Sequence, residues 1–336
     1  MPTFAIRYAP HAFRLMNGVF CVYKPSDIGM KKLQPLIREK LVNELNEMDV
    51  RPPKERVVIE GSFKDEKFSA KLVPSYSDLP AVVGPRYLPK DLTIFFSNYC
   101  SWRFSGVLVG GIGTYGCYLA SELWNSNFLR VYELKCKLGI ATDTCWSDGK
   151  VVEKSTLKHI SKERMDVILN KIQSAQQSQM FKTLGMNLTS QEAYEIASRG
   201  MIRPSSRKTN PILYGLRCIH FDAPNFTLEI QTINENEEYL VTLVNDIGLK
   251  MKSNACVINV RCTRYGNFTI DNALLEKHWT VENIINNIQM CKPLVSEDKL
   301  LPSINIKSAE YHQQSFLEML QKRKKIGIVS EKTDEI

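Results

Sequence analysis

Apolar residues recur every four positions at Leu33, Ile37, Leu41 and Leu45 and predict an amphipathic helix over roughly 28–48. An apolar strand, 18–24, leads into it through Pro25, and Arg51-Pro-Pro-Lys54 breaks it. Strand-like runs come next at 56–62 and 67–73, then a proline-rich loop through Pro89. Alternation over 130–140 predicts a half-buried strand with Tyr132, Leu134, Cys136 and Leu138 on one face, and Lys135 and Lys137 on the other. A helix is expected from Thr156 to about Ala175. Thr189-x-x-Glu192 has capping-box form and opens a further helix that Gly200 closes. Two strands, 212–221 and 226–233, precede a helix over 237–250 and a final strand pair around 255–270. Two helix candidates lie beyond Lys277, in a tail that ends in charged clusters. Strands and helices do not alternate regularly, so the fold class expected is α+β with a mixed, largely antiparallel sheet.

Composition narrows the function classes only slightly. A chain of 336 residues with 43% hydrophobic and 24% charged residues has ample core for one large domain. The net charge of +8 suits a polyanionic partner such as RNA. Nine cysteines without regular spacing argue against a disulfide framework. His11, His159, His220, His278 and His312 lie far apart and no C-x-x-C occurs, so no metal site is expected. No apolar run reaches membrane-spanning length. The first residues carry Arg7, His11 and Arg14 with no acid before Asp27, the character of a mitochondrial presequence, expected over 1–16.

The stretch SNYCSWRFSGVLVGGIGTYG, residues 97–116, ends in Gly111-Ile-Gly113-Thr-Tyr-Gly116, a literal G-x-G-x-x-G. An apolar run precedes it, a helix is expected after Tyr115, and Glu133 stands 20 residues after Gly113. A nucleotide-cofactor enzyme using this loop is therefore one reading. Beyond Leu138 the chain enters a glycine-containing turn rather than the rest of a βαβ unit, which ranks that reading second.

Several segments, in order, resemble the TruB family of pseudouridine synthases, and its animal mitochondrial branch most of all. They are Gly18-Val-Phe-Cys-Val-Tyr-Lys24-Pro25, Ser105-Gly-Val-Leu108, Tyr132-Glu-Leu-Lys-Cys-Lys-Leu-Gly-Ile-Ala-Thr-Asp143 with Asp148-Gly149, Glu192-Ala-Tyr-Glu-Ile-Ala-Ser-Arg-Gly200, Tyr239 to Gly248, and Val260-Arg-Cys-Thr-Arg264. The resemblance covers residues 17–280, the expected catalytic domain, and leaves 281–336 as a helical or partly disordered extension without the RNA-binding module of bacterial members.

That resemblance implies a sheet carrying an RNA-binding cleft and a uridine flipped out of the RNA. It also implies an aspartate nucleophile, a tyrosine that stacks on the base and takes the C5 proton, and an arginine that pairs with the aspartate. No metal or organic cofactor is implied. Tyr132 matches the tyrosine. Counting back from Ser105-Gly106, the aspartate falls on Ser101, and counting back from Asp246, the arginine falls on Val241. A serine supplies no carboxylate, and an arginine without its anion would be an uncompensated charge, so the two departures match as partners. Asp91, Asp143 and Asp246 have no evident nucleophile geometry, and Asp143 is expected to serve its own turn. RNA binding is then expected to outlast the chemistry, through Lys24, Lys135, Lys137, Arg203, Arg207, Arg261 and Arg264. The expected setting is mitochondrial RNA in the matrix, with ribosome-assembly or RNA-granule proteins as partners. An active synthase with a displaced nucleophile is the rival reading.

Overall fold

After Ser105 the run Ser105–Ile112 offers no polar side chain to water, and it forms a strand, β5, buried at every position. This computed structural model describes residues 7–52, 54–61, 68–79, 82, 84–183, 187, 189–199 and 211–296. Among the described residues two compact units are present, residues up to 134 with 259–296, and 135–258. Strands β6 (Arg130–Leu138) and β11 (Ala255–Tyr265) lend residues to both.

In the first unit β5 is central. Strand β1 (Gly18–Lys24) lies antiparallel to it from Gly18↔Ile112 to Lys24↔Gly106. The short β4 (Ile94–Phe96) also pairs with it antiparallel, whereas β11 runs parallel to it at Arg261↔Ser105. The sheet is thus mixed and mostly antiparallel, as expected. Helix α1 (Ala9–Leu15) packs on α2 (Met30–Glu47) and on α7 (Val281–Cys291). All four periodic residues of α2, Leu33, Ile37, Leu41 and Leu45, are fully buried, each stabilising the unit by about 1.5–3 kcal/mol. Buried Asn287 of α7 accepts the Cys21 amide at 2.7 Å and donates to the Asn272 carbonyl at 2.7 Å, locking α7 to β1. Helix α1 falls inside the segment expected as a presequence, yet Ala9, Ala12 and Met16 are fully buried. Strands β2 (Glu55–Gly61) and β3 (Phe68–Pro74) form a hairpin that pairs with no other strand among the described residues.

In the second unit β9 (Ile212–Asp222) and β10 (Asn225–Ile233) form the expected antiparallel pair, and β10 neighbours β6. Strands β7 (Ile140–Thr142) and β8 (Val151–Lys154) make a small second sheet. Helix α4 (Lys162–Thr183) packs on β9, and Gln173 Oε1 accepts the Leu216 amide at 3.1 Å. This helix starts six residues later than Thr156, the expected opening. Ser155 and Thr156 are held elsewhere, their backbone and side-chain oxygens bonding Ser253 and Asn254. Helix α5 (Gln191–Arg199) is capped by Ser190, whose Oγ accepts the Ala193 amide at 3.2 Å, rather than by Thr189. Helix α6 (Glu237–Lys250) has the bounds expected, with Asn236 Oδ1 accepting the Tyr239 amide at 2.8 Å.

Candidate functional site

The loop 97–104 joins β4 to β5, and its sequence fixes it from within. Ser97 is fully buried, its amide and hydroxyl both donating to the Val109 carbonyl. Asn98 is buried beside it, donating to Val107 O at 3.0 Å and accepting from the Val109 amide at 2.9 Å. The Phe104 amide closes a turn on the Ser101 carbonyl at 3.1 Å. Ser101, where the aspartate was expected, is only 4% exposed.

A buried cation holds the far side of this loop. Lys24 ends β1 with no exposure, and its ammonium donates to Phe104 O at 2.6 Å, Pro25 O at 3.0 Å and Trp102 O at 3.3 Å. Burial pulls its pKa below the ordinary lysine value, with Cys100 and Asp27 opposing that pull. The expectation that Lys24 touches RNA is corrected here: its three N–H donors already point at three backbone carbonyls. Trp102 O also accepts the Asp27 amide at 2.8 Å, and Asp27 sits in the left-handed region at φ 67°.

Around that clamp the first unit gathers other expected residues. Tyr132 lies buried on β6, its ring edge-on to Phe104 with centroids 5.9 Å apart. Arg261 stands opposite Ser105 in the parallel ladder, with its guanidinium 5.5 Å from the centre of the Tyr23 ring. Its Nε is buried without a hydrogen-bond partner. Arg264, three residues on, falls on the opposite face of β11 and donates to Gly266 O at 2.7 Å. The two arginines therefore do not form one surface.

Within the second unit, Lys135 is exposed and Lys137 half-buried on the expected face of β6, opposite the buried Cys136 and Leu138. Val241 is buried on α6 in line with Leu240, Val244 and Ile247. A charged side chain at 241 would enter an apolar surrounding. Arg203 and Arg207 lie outside the described residues, as do 297–336 and Gly200.

Two of the three carboxylates weighed as displaced nucleophiles have other employment. Asp91 accepts the Leu88 amide at 2.9 Å and Asp143 accepts the Lys150 amide at 2.9 Å within its own turn, while Asp246 is exposed on α6. Asp27 was missed. The one local signal was its place in Lys24-Pro-Ser-Asp27, a turn sequence whose bond to Trp102 spans 75 residues of chain and is invisible to local pattern.

The glycine motif is also answered. Helix α3 (Gly113–Asn125) opens at Gly113, but the amides of Tyr115 and Gly116, which a pyrophosphate would need, both donate to Asn17 Oδ1, at 3.0 and 3.2 Å. A Cβ on Gly116 would collide with the Gly18 carbonyl, and one on Gly111 with the Gly116 carbonyl. These glycines permit close packing of β5, α3 and β1, and the nucleotide-cofactor reading is corrected accordingly. Among the described residues no cluster of three or more metal-ligating side chains occurs, and no helix is long and apolar enough to cross a membrane.

The sequence that builds this fold and this loop is similar to known proteins over most of its length. The model of the TruB family pseudouridylate synthase N-terminal domain matches residues 103–237. Human mitochondrial pseudouridylate synthase TRUB2 is 37% identical over 301 residues, covering 87% of this chain and 90% of the relative. The Xenopus tropicalis counterpart is 36% identical over 292 residues, covering 85% and 89%. Human pseudouridylate synthase TRUB1 is 30% identical over 298 residues, covering 88% and 74%. Among solved structures, the archaeal box H/ACA sRNP Nop10-Cbf5 complex aligns at 13% identity with a TM-score of 0.43, over 91% of this chain and 65% of that one. The chain belongs to the TruB family of pseudouridine synthases.

Proposed function

We propose that this chain is an RNA-binding TruB protein of the mitochondrial matrix whose uridine isomerisation is weak or lost. The observation that carries the reading is the buried serine at position 101, where the family resemblance calls for an aspartate. Without a carboxylate there is no anion to form the covalent bond to the nucleoside, and a serine hydroxyl needs a base that the loop does not contain. The apolar setting of Val241 supports the same conclusion. The mitochondrial setting rests on relatives named mitochondrial TRUB2. RNA binding is supported by the net charge of +8, by Arg261 beside Tyr23, and by Lys135 and Lys137 on β6. Its RNA is a mitochondrial mRNA, rRNA or tRNA, and ribosome-assembly or RNA-granule proteins are the partners such a role would bring.

A second reading has one observation in its favour: Asp27 brings a carboxylate-bearing residue to the loop backbone. Pseudouridine mapping on mitochondrial RNA incubated with purified protein separates the two. The expected result is little or no turnover by the native chain and a measurable gain in Ser101→Asp combined with Val241→Arg. Robust native turnover that survives Ser101→Ala and disappears in Asp27→Asn would reverse the conclusion.

A further inference from the structure

We propose that Tyr99 and Trp102 form a stacking platform for the bases of single-stranded RNA, built on the loop where the family's nucleophile would stand. The inference rests on the RNA-binding reading above and assigns it a site. Within this loop the side chains divide sharply. Ser97, Asn98, Cys100, Ser101 and Phe104 are buried, whereas Tyr99 is 66% and Trp102 50% exposed. Both rings are among the largest apolar surfaces a side chain can offer, and the fold leaves most of Tyr99 and half of Trp102 open.

Their backbone is not free to fold them away. Asn98 is bonded on both sides of its amide to β5, and the Trp102 carbonyl receives Lys24 Nζ at 3.3 Å and the Asp27 amide at 2.8 Å. Two exposed rings on a clamped loop lose little conformational freedom when a ligand stacks on them. Three residues of chain keep their Cα atoms within about 11 Å, a span that consecutive or near-consecutive bases can bridge.

Charge selects the ligand class. The Arg103 guanidinium lies 4.8 Å from the centre of the Trp102 ring, so a cation already stacks on one aromatic of the pair. A planar base beside a phosphate meets both features: π-surface for the ring and positive charge for the backbone. Paired bases have no face to offer, which is why the platform is assigned to single strands.

The test is binding of a labelled single-stranded RNA of about 12 nucleotides, a usual single-strand site length, and of the same RNA annealed to its complement, across a salt series. Tyr99→Ala with Trp102→Ala is expected to weaken single-strand binding on the order of 10- to 100-fold while leaving the salt slope unchanged, because stacking releases no counterions. Tyr99→Phe with Trp102→Phe is expected to retain affinity, and native thermal stability in both variants shows that the fold is intact. Native affinity in the double alanine variant, or an equal loss on duplex, would overturn the platform but leave RNA binding standing. A native chain that binds neither RNA would overturn the RNA-binding reading and the platform with it.

Discussion

The loop 97–104 and the turn 110–116 are neighbours in sequence, and both are held by side chains reaching across from other segments. They use that restraint in opposite ways. In the turn, Asn17 closes the helix amides and glycines bring backbone against backbone, so the inside of the motif is filled by the protein itself. In the loop, Lys24 and Asn98 fix the backbone from below and leave Tyr99 and Trp102 facing outward. The literal motif belongs to the region that is sealed, and the surface available to a ligand belongs to the region with no motif. A residue pattern therefore signals binding only when the donors it positions are left without an internal acceptor.

Substitutions can sharpen that contrast. Lys24→Met should have the largest effect, about 3 kcal/mol or more in urea denaturation, because it removes a charged donor from three carbonyls at once. It should also loosen the loop and weaken RNA binding. A stability loss of only a few tenths would mean that Lys24 is not the clamp. Gly116→Ala should come next at roughly 1–3 kcal/mol, because a Cβ meets the Gly18 backbone, which has nowhere to move. Here RNA affinity per folded molecule should stay native, and a specific loss of affinity would bring the turn back into the binding site. Asn17→Ala should be mildest, about 1 kcal/mol in thermal unfolding, as for a lost helix cap. Uncapping the helix should not yield nicotinamide or flavin binding in a direct titration. Tight binding by that variant would show that a nucleotide site lies beneath the Asn17 cap.

Periodicity reached much of the fold. Strand β1 and helix α6 fall at the bounds that apolar spacing predicts, and all four apolar positions of α2 are core. Helix α4 was misplaced because Ser155 and Thr156 are claimed by Ser253 and Asn254, nearly 100 residues away, a tertiary override of local propensity. The site was legible only in part. The register that led to Ser101 and Tyr132 came from ordered family motifs, and the edge-on contact of Tyr132 with Phe104 links residues 28 positions apart in the chain. Lys24 was expected among the RNA contacts, whereas it is buried against three carbonyls that lie outside the reach of local pattern. Arg261 and Arg264 were expected in one RNA-binding set, although their separation of three already put them on opposite faces of a strand.

The Lys24 clamp has a consequence for how such a protein could change over generations. All three of its acceptors are main-chain oxygens, which every amino acid carries. The anchorage of the loop is thus indifferent to which side chain stands at 101. Drift at that position could proceed without disturbing the shape of the loop, and selection for shape alone would be enough to keep the lysine.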